Sequence, residues 1–182
     1  MMDQATLVQE VIRMGAYRAN VVSMADAVLD PVFRDMCKSN ACGNYGRNWM
    51  CPPDAGDIDE LMAQARGFES ILVYQTVGQL EDSYDFEGMM EAAAKHNAMS
   101  LELRELFQQT GFSEMLQLGA GGCHVCKKCA KLTNEPCRYP DKAMASLETY
   151  GFNVSELARL AGMKYINGSD TVTYFGALLF NP

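Results

Sequence analysis

Histidine is scarce in this 182-residue chain, with two copies, and tryptophan occurs once. No helical HExxH string and no serine, histidine and acid set is present, which removes zincin-type and triad hydrolysis from the readings. Basic charge is short as well. Fifteen Lys and Arg face 23 Asp and Glu, a net charge of −8, so the broad basic surface needed for general binding of nucleic acid or anionic membrane is missing. No window reaches the roughly 18 apolar residues of a bilayer span. The opening MMDQATLVQEVIRMGAYRAN has no basic region followed by an apolar run, and we expect a cytoplasmic protein with no membrane partner. Internal repeats, low-complexity tracts and linkers are absent. GAGG at 119–122 lacks both the Lys-Ser/Thr ending of a P-loop and the spacing of a dinucleotide fingerprint, so its expected role is to turn the chain into Cys123.

What is present is apolar mass and sulfur. With 48% apolar residues the chain can bury a real core without disulfides, and residues 1–182 are expected to form one domain. Thirteen methionines, including Met89 and Met90, read as core filler. Seven cysteines at short spacings, in a compartment that keeps thiols reduced, read as metal ligands and not as a disulfide framework.

Helices and strands alternate along the chain. Leu7, Val8, Val11 and Ile12 mark an amphipathic helix over 4–14 stopped by Gly15, and a strand is expected at 18–23. Asp30-Pro31 opens a short helix that delivers Cys37 into a glycine-rich loop. Asp57 and Glu60 cap a helix to about 66, SILVYQTV is a strand, 87–109 a long helix, and 115–119 a strand leading into GAGGC. Pro140-Asp141 is expected to open a helix to 149, Asn153 caps another to 161, and TVTYFGALLF is an apolar strand. The pattern predicts an α/β layered sheet with flanking helices, with a right-handed strand, helix and strand crossover across 70–119. Two cysteine-rich metal-binding loops, at 37–53 and 119–140, fall at the ends of these elements and are expected to face one another.

Cys123, Cys126, Cys129 and Cys137 form C-x2-C-x2-C-x7-C. Three cysteines spaced by two residues can wrap a loop around a cubane [4Fe-4S] cluster, each reaching a different iron. A tetrahedral zinc site is normally filled by two separated pairs, so zinc makes poorer use of the spacing; it remains the alternative, as a structural or binding module without redox chemistry. The seven-residue gap, with Pro136 before the last cysteine, separates the chain from two-cluster ferredoxins.

Cys37, Cys42 and Cys51 sit in CKSNACGNYGRNWMCPP. Gly43 and Gly46 permit tight turns, Pro52-Pro53 directs the exit, and Tyr45 and Trp49 can shield a metal from water. With three thiols the loop is one ligand short of a full cubane. Either a second cluster takes its last ligand from His124, water, substrate or the other loop, or one site draws on both loops, and a structural turn is the plain reading of the stretch. The three thiols are expected to converge at the same end of the sheet as 123–137. His96 reads as a polar-face residue of the long helix, and Lys127, Lys128, Lys131 and Arg138 form a local positive patch suited to an acidic redox partner protein.

The C-x4-CG-x-YG-x2-W-x-CPP string, together with CHVCKKCAKLTNEPCRYP and the following S-x-E-x-YG, resembles a prokaryotic family of predicted metal-binding proteins over most of the chain. The resemblance implies metal ligation by Cys37, Cys42, Cys51, Cys123, Cys126, Cys129 and Cys137 and supplies no reaction. The combined reading is an iron-sulfur protein acting in electron transfer or in a redox reaction on an unidentified substrate, including one bound at an iron with no cysteine.

Overall fold

The computed structural model describes residues 2–182. Helix α1 (Gln4–Arg13) starts where the Asp3 carboxylate accepts the Thr6 N–H at 2.9 Å, and it buries Leu7 and Val11. Strand β1 (Arg18–Ser23) follows, then the short α2 (Pro31–Asp35), capped by Asp30 and continued by a 3₁₀ turn at Met36–Ser39. After the first cysteine loop come α3 (Ile58–Arg66), capped by Asp57, and β2 (Ser70–Gln79). Helix α4 (Phe86–Gln108) leads to β3 (Glu114–Leu118) and the second loop, and α5 (Val154–Leu160) precedes β4 (Thr171–Asn181).

The four strands form one sheet in the order β1-β2-β4-β3, with every neighbouring pair antiparallel. The crossover expected over 70–119 is present in split form. Strands β2 and β3 run the same way on either side of α4, but β4 lies between them and pairs with both. Its composition explains the placement: Phe175–Phe180 are buried without interruption, so this strand is stable only where both faces are covered. On one face Ile71, Val73, Phe175, Ala177 and Leu179 meet α3, α5 and the 145–152 segment; on the other Leu72, Tyr74, Leu178 and Phe180 meet α1 and α4. The result is three layers, in which each fully buried leucine such as Leu72 or Leu103 contributes about 2 kcal/mol of apolar transfer.

Two further expectations change. Residues 140–149 form turns, not a helix, because their backbone is engaged sideways. Arg104 donates to the Asp141 carbonyl, Gly119 N–H to Ala145 O at 2.8 Å, and Leu147 N–H to Gly119 O at 3.1 Å, leaving one 3₁₀ turn at Glu148–Tyr150. His96 is fully buried rather than solvent-facing. Its Nδ1 pairs with Thr76 Oγ1 at 2.8 Å and its ring lies between Tyr74 and Tyr174. Burial without a carboxylate partner pulls its pKa down to about 4.

Candidate metal centre

The first loop is held by its own backbone. Asn40 ends the 3₁₀ turn in the left-handed region, and its side-chain oxygen accepts the Tyr45 N–H at 3.0 Å. Gly46, at φ 68°, takes a conformation that costs an L side chain strain, and it donates to the Pro52 carbonyl at 2.9 Å, which closes the loop over Cys51. The Pro52-Pro53 bond is cis. These contacts set Cys37, Cys42 and Cys51 around one cavity of about 260 Å³, which Gly121 and Gly122 of the second loop also line.

The second loop docks onto the first through side chains that the cysteine pattern does not announce. Buried Asn48 donates to the Cys123 carbonyl at 3.0 Å, and the Trp49 indole N–H donates to the Glu135 carbonyl at 2.9 Å. Lys131 places its ammonium 4.3 Å from the Trp49 ring centroid and 2.6 Å from Asp54 Oδ1, so one cation clamps two elements of the first loop. Gly122 is buried against Asn44; a Cβ there would lie 2.9–3.0 Å from the Asn44 side chain, closer than packed atoms tolerate. Trp49 thus acts mainly as a strut between the loops.

Cys123, Cys126, Cys129 and Cys137 line a single narrow gap of about 10 Å³, walled by Trp49, Met50 and Tyr139. Its lining contains no Asp, Glu or His, and this all-thiol donor set suits iron-sulfur or zinc chemistry. Among the described residues, no three His, Cys, Asp or Glu side chains converge closely enough to grip one ion. The two cysteine sets nevertheless sit side by side. Burial pushes the Cys51 thiol up to about 12, and the neighbouring thiols Cys42, Cys37, Cys123 and Cys129 push the same way. Burial also raises Cys37, followed by the nearby Glu148 carboxylate and Cys42, with Arg34 opposing. The loops therefore meet, as their places at the ends of the predicted elements suggest, and the three first-loop thiols share a cavity without closing on a point.

Other predicted residues fall differently. His124 lines a separate cavity of about 340 Å³ with Cys42, Asn97, Glu148 and Tyr174, and does not line the cavity shared by the three first-loop thiols. Lys131 spends its charge on Asp54, and Arg138 pairs with Glu135 at 3.1 Å. Lys127 and Lys128 remain exposed. Sequence reasoning missed Asn48, Asp54 and Glu148, because a single polar residue carries no spacing signal.

Fold and site together define an α/β protein that gathers seven unpaired cysteines onto two interlocked loops. The chain belongs to the family of predicted metal-binding proteins designated DUF2284, whose model matches residues 20–180 and so takes in both loops and all four strands but the first two residues of β1 and the last of β4. Comparison with curated proteins and with solved structures finds no match. Among the described residues no helix is long and apolar enough to cross a membrane.

Proposed function

We propose that this protein is an iron-sulfur protein acting in electron transfer or in a redox reaction on a small substrate. Cys123, Cys126, Cys129 and Cys137 hold a [4Fe-4S] cluster, and Cys37, Cys42 and Cys51 form a second centre beside it. The observation that carries the reading is the gap walled by four thiols of one segment and shielded by Trp49, Met50 and Tyr139, with no carboxylate or imidazole in its lining. A bound cluster supplies one-electron chemistry; the chain supplies burial, interlocked loops and closeness of the two thiol sets. The cavity of about 340 Å³ beside Cys42 gives a small molecule access to the first-loop centre. Lys127 and Lys128, the cations of the patch without an internal partner, offer a docking point for an acidic redox protein. Reduced thiols suit a cytoplasmic setting.

The narrowness of the second-loop gap favours one alternative, a zinc-stabilised binding module. About 10 Å³ holds a water, so the loop must widen for a cubane and draw together for an ion. Metal and sulfide analysis of anaerobically purified protein separates the two. Brown material with iron and acid-labile sulfide is expected; colourless protein with one equivalent of zinc would overturn the cluster. Cys126→Ser is expected to lose the second-loop metal, since no neighbouring residue in that lining can replace the middle thiol.

A further inference from the structure

The cavity bounded by Cys37, Cys42 and Cys51 is lined by one carboxylate. Glu148 lines it with the three thiols, and no Lys, Arg or His does. None of the six ion pairs among the described residues includes Glu148. A half-buried carboxylate therefore shares one cavity wall with three thiols, while Arg34, whose charge reaches Cys37, does not line that cavity.

Its position is fixed by the fold. Glu148 stands between buried Leu147 and buried Thr149, on a turn tied by Ser146 Oγ and Thr149 Oγ1 at 3.1 Å, by Thr149 N–H to Ser146 Oγ at 3.2 Å, and by Gly151 N–H to Glu148 O at 2.9 Å. Leu147 N–H bonds back to Gly119 O, which couples this turn to the root of the second loop. A ligand carried on so constrained a turn is preorganised, which a site with only three cysteines requires.

We propose that Glu148 is the fourth protein ligand of the first-loop centre, completing a Cys37, Cys42, Cys51 and Glu148 set around an iron-sulfur cluster. This rests on the iron-sulfur reading of the first loop and extends it. It also assigns the last position differently from His124, which does not line this cavity. A carboxylate is a harder and more exchangeable ligand than thiolate, and Glu148 forms part of the wall shared with the cavity of about 340 Å³. An iron held by Glu148 would therefore stand at the wall between the two cavities.

The test is spectroscopic. Full-length protein is loaded with iron and sulfide, labelled with glutamate carrying ¹³C at the side-chain carboxylate, reduced, and studied by pulsed EPR beside Glu148→Gln, Glu148→Ala and Cys37→Ser. We expect a ¹³C coupling in the unsubstituted protein that is lost in Glu148→Gln. We also expect altered g values in Glu148→Ala, with imidazole binding to the freed iron there and not in the unsubstituted protein. If iron is present in the first loop, and its loss in Cys37→Ser shows this, but both Glu148 variants keep unchanged spectra and no ¹³C coupling appears, the assignment of Glu148 is overturned alone. If Cys37→Ser leaves iron and sulfide content unaltered, the reading it rests on falls with it. Glu148→Gln is nearly isosteric, so loss of its coupling with circular dichroism unchanged reports ligation and not misfolding.

Discussion

Replacing Asp54 by asparagine removes the anion from Lys131 while keeping the shape of the side chain. Lys131 Nζ lies 2.6 Å from Asp54 Oδ1, with side-chain exposures of 19% and 18%, so solvent screens the pair only in part. A fully exposed pair couples by less than about 1 kcal/mol, while breaking a fully buried one costs about 3–5 kcal/mol. The intermediate exposure, and the Trp49 ring that still faces the ammonium at 4.3 Å, place the cost of Asp54→Asn at about 2 kcal/mol. For a chain of 182 residues that is a fall in melting temperature of about 4–8 °C. The assay is a double-mutant cycle of Asp54→Asn and Lys131→Met, with anaerobic thermal melts and the rate of metal release to a chelator as readouts. Methionine keeps the aliphatic stem on Trp49, so the cycle isolates the ionic term. Asp54→Asn should destabilise far less in the Lys131→Met background and should speed metal release in the native one. Equal shifts in both backgrounds would refute the clamp and leave the contact as a surface pairing.

Three other outcomes follow from the packing. His96 titrates near 6.5 in an unfolded chain and about 4 in the folded one, so below pH 6.5 the unfolded state binds the extra proton; stability present above that pH is lost on acidification, by about 2 kcal/mol at pH 5, and urea titrations of His96→Asn should lack that component. In reduced, metal-free protein at pH 8, exposed Cys42 should alkylate well before buried Cys51, whose thiol near 12 holds about a thousandfold less thiolate than a solvated cysteine; mass spectrometry of partly labelled protein reads the order, and bound metal should protect both. Gly122→Ala should cost about 1–2 kcal/mol by forcing Asn44 aside, and Asn44→Ala should restore most of it in thermal melts.

Much of the scaffold was legible because its signals are local. Asp3, Asp57 and Asn153 each cap the helix that follows, and the apolar runs at 70–79 and 171–181 are strands. Strand partners were not legible, since an apolar run states that both faces are covered without naming its neighbours, and the parallel crossover expected over 70–119 is split by β4. Pro140 misled for a related reason: its start signal is real, but Arg104 and Gly119 claim the backbone that a helix would use. Buried His96 escaped because α4 is weakly amphipathic, and a lone polar residue in such a helix reads as surface. At the site, cysteine spacing located both loops. Glu148 stood in the S-x-E-x-YG string as a mark of resemblance only, and its bearing on the thiols required the turn after the second loop to be seen packed beneath the first.

The place of β4 between β2 and β3 orders events during synthesis. Among the described residues, strand β3, from which the second loop springs, stands at the sheet edge with β4 as its neighbour. All seven cysteines are polymerised before residues 171–181 exist, and a ribosome adding about 5–20 residues per second leaves them waiting from about 2 s to about 30 s without the strand that seats their scaffold. The thiols must stay reduced and uncommitted through that interval. Under the proposed reading, metal enters the second loop only after residues 171–181 have joined the sheet, and a nascent chain stalled short of β4 presents its thiols without the strand that supports β3.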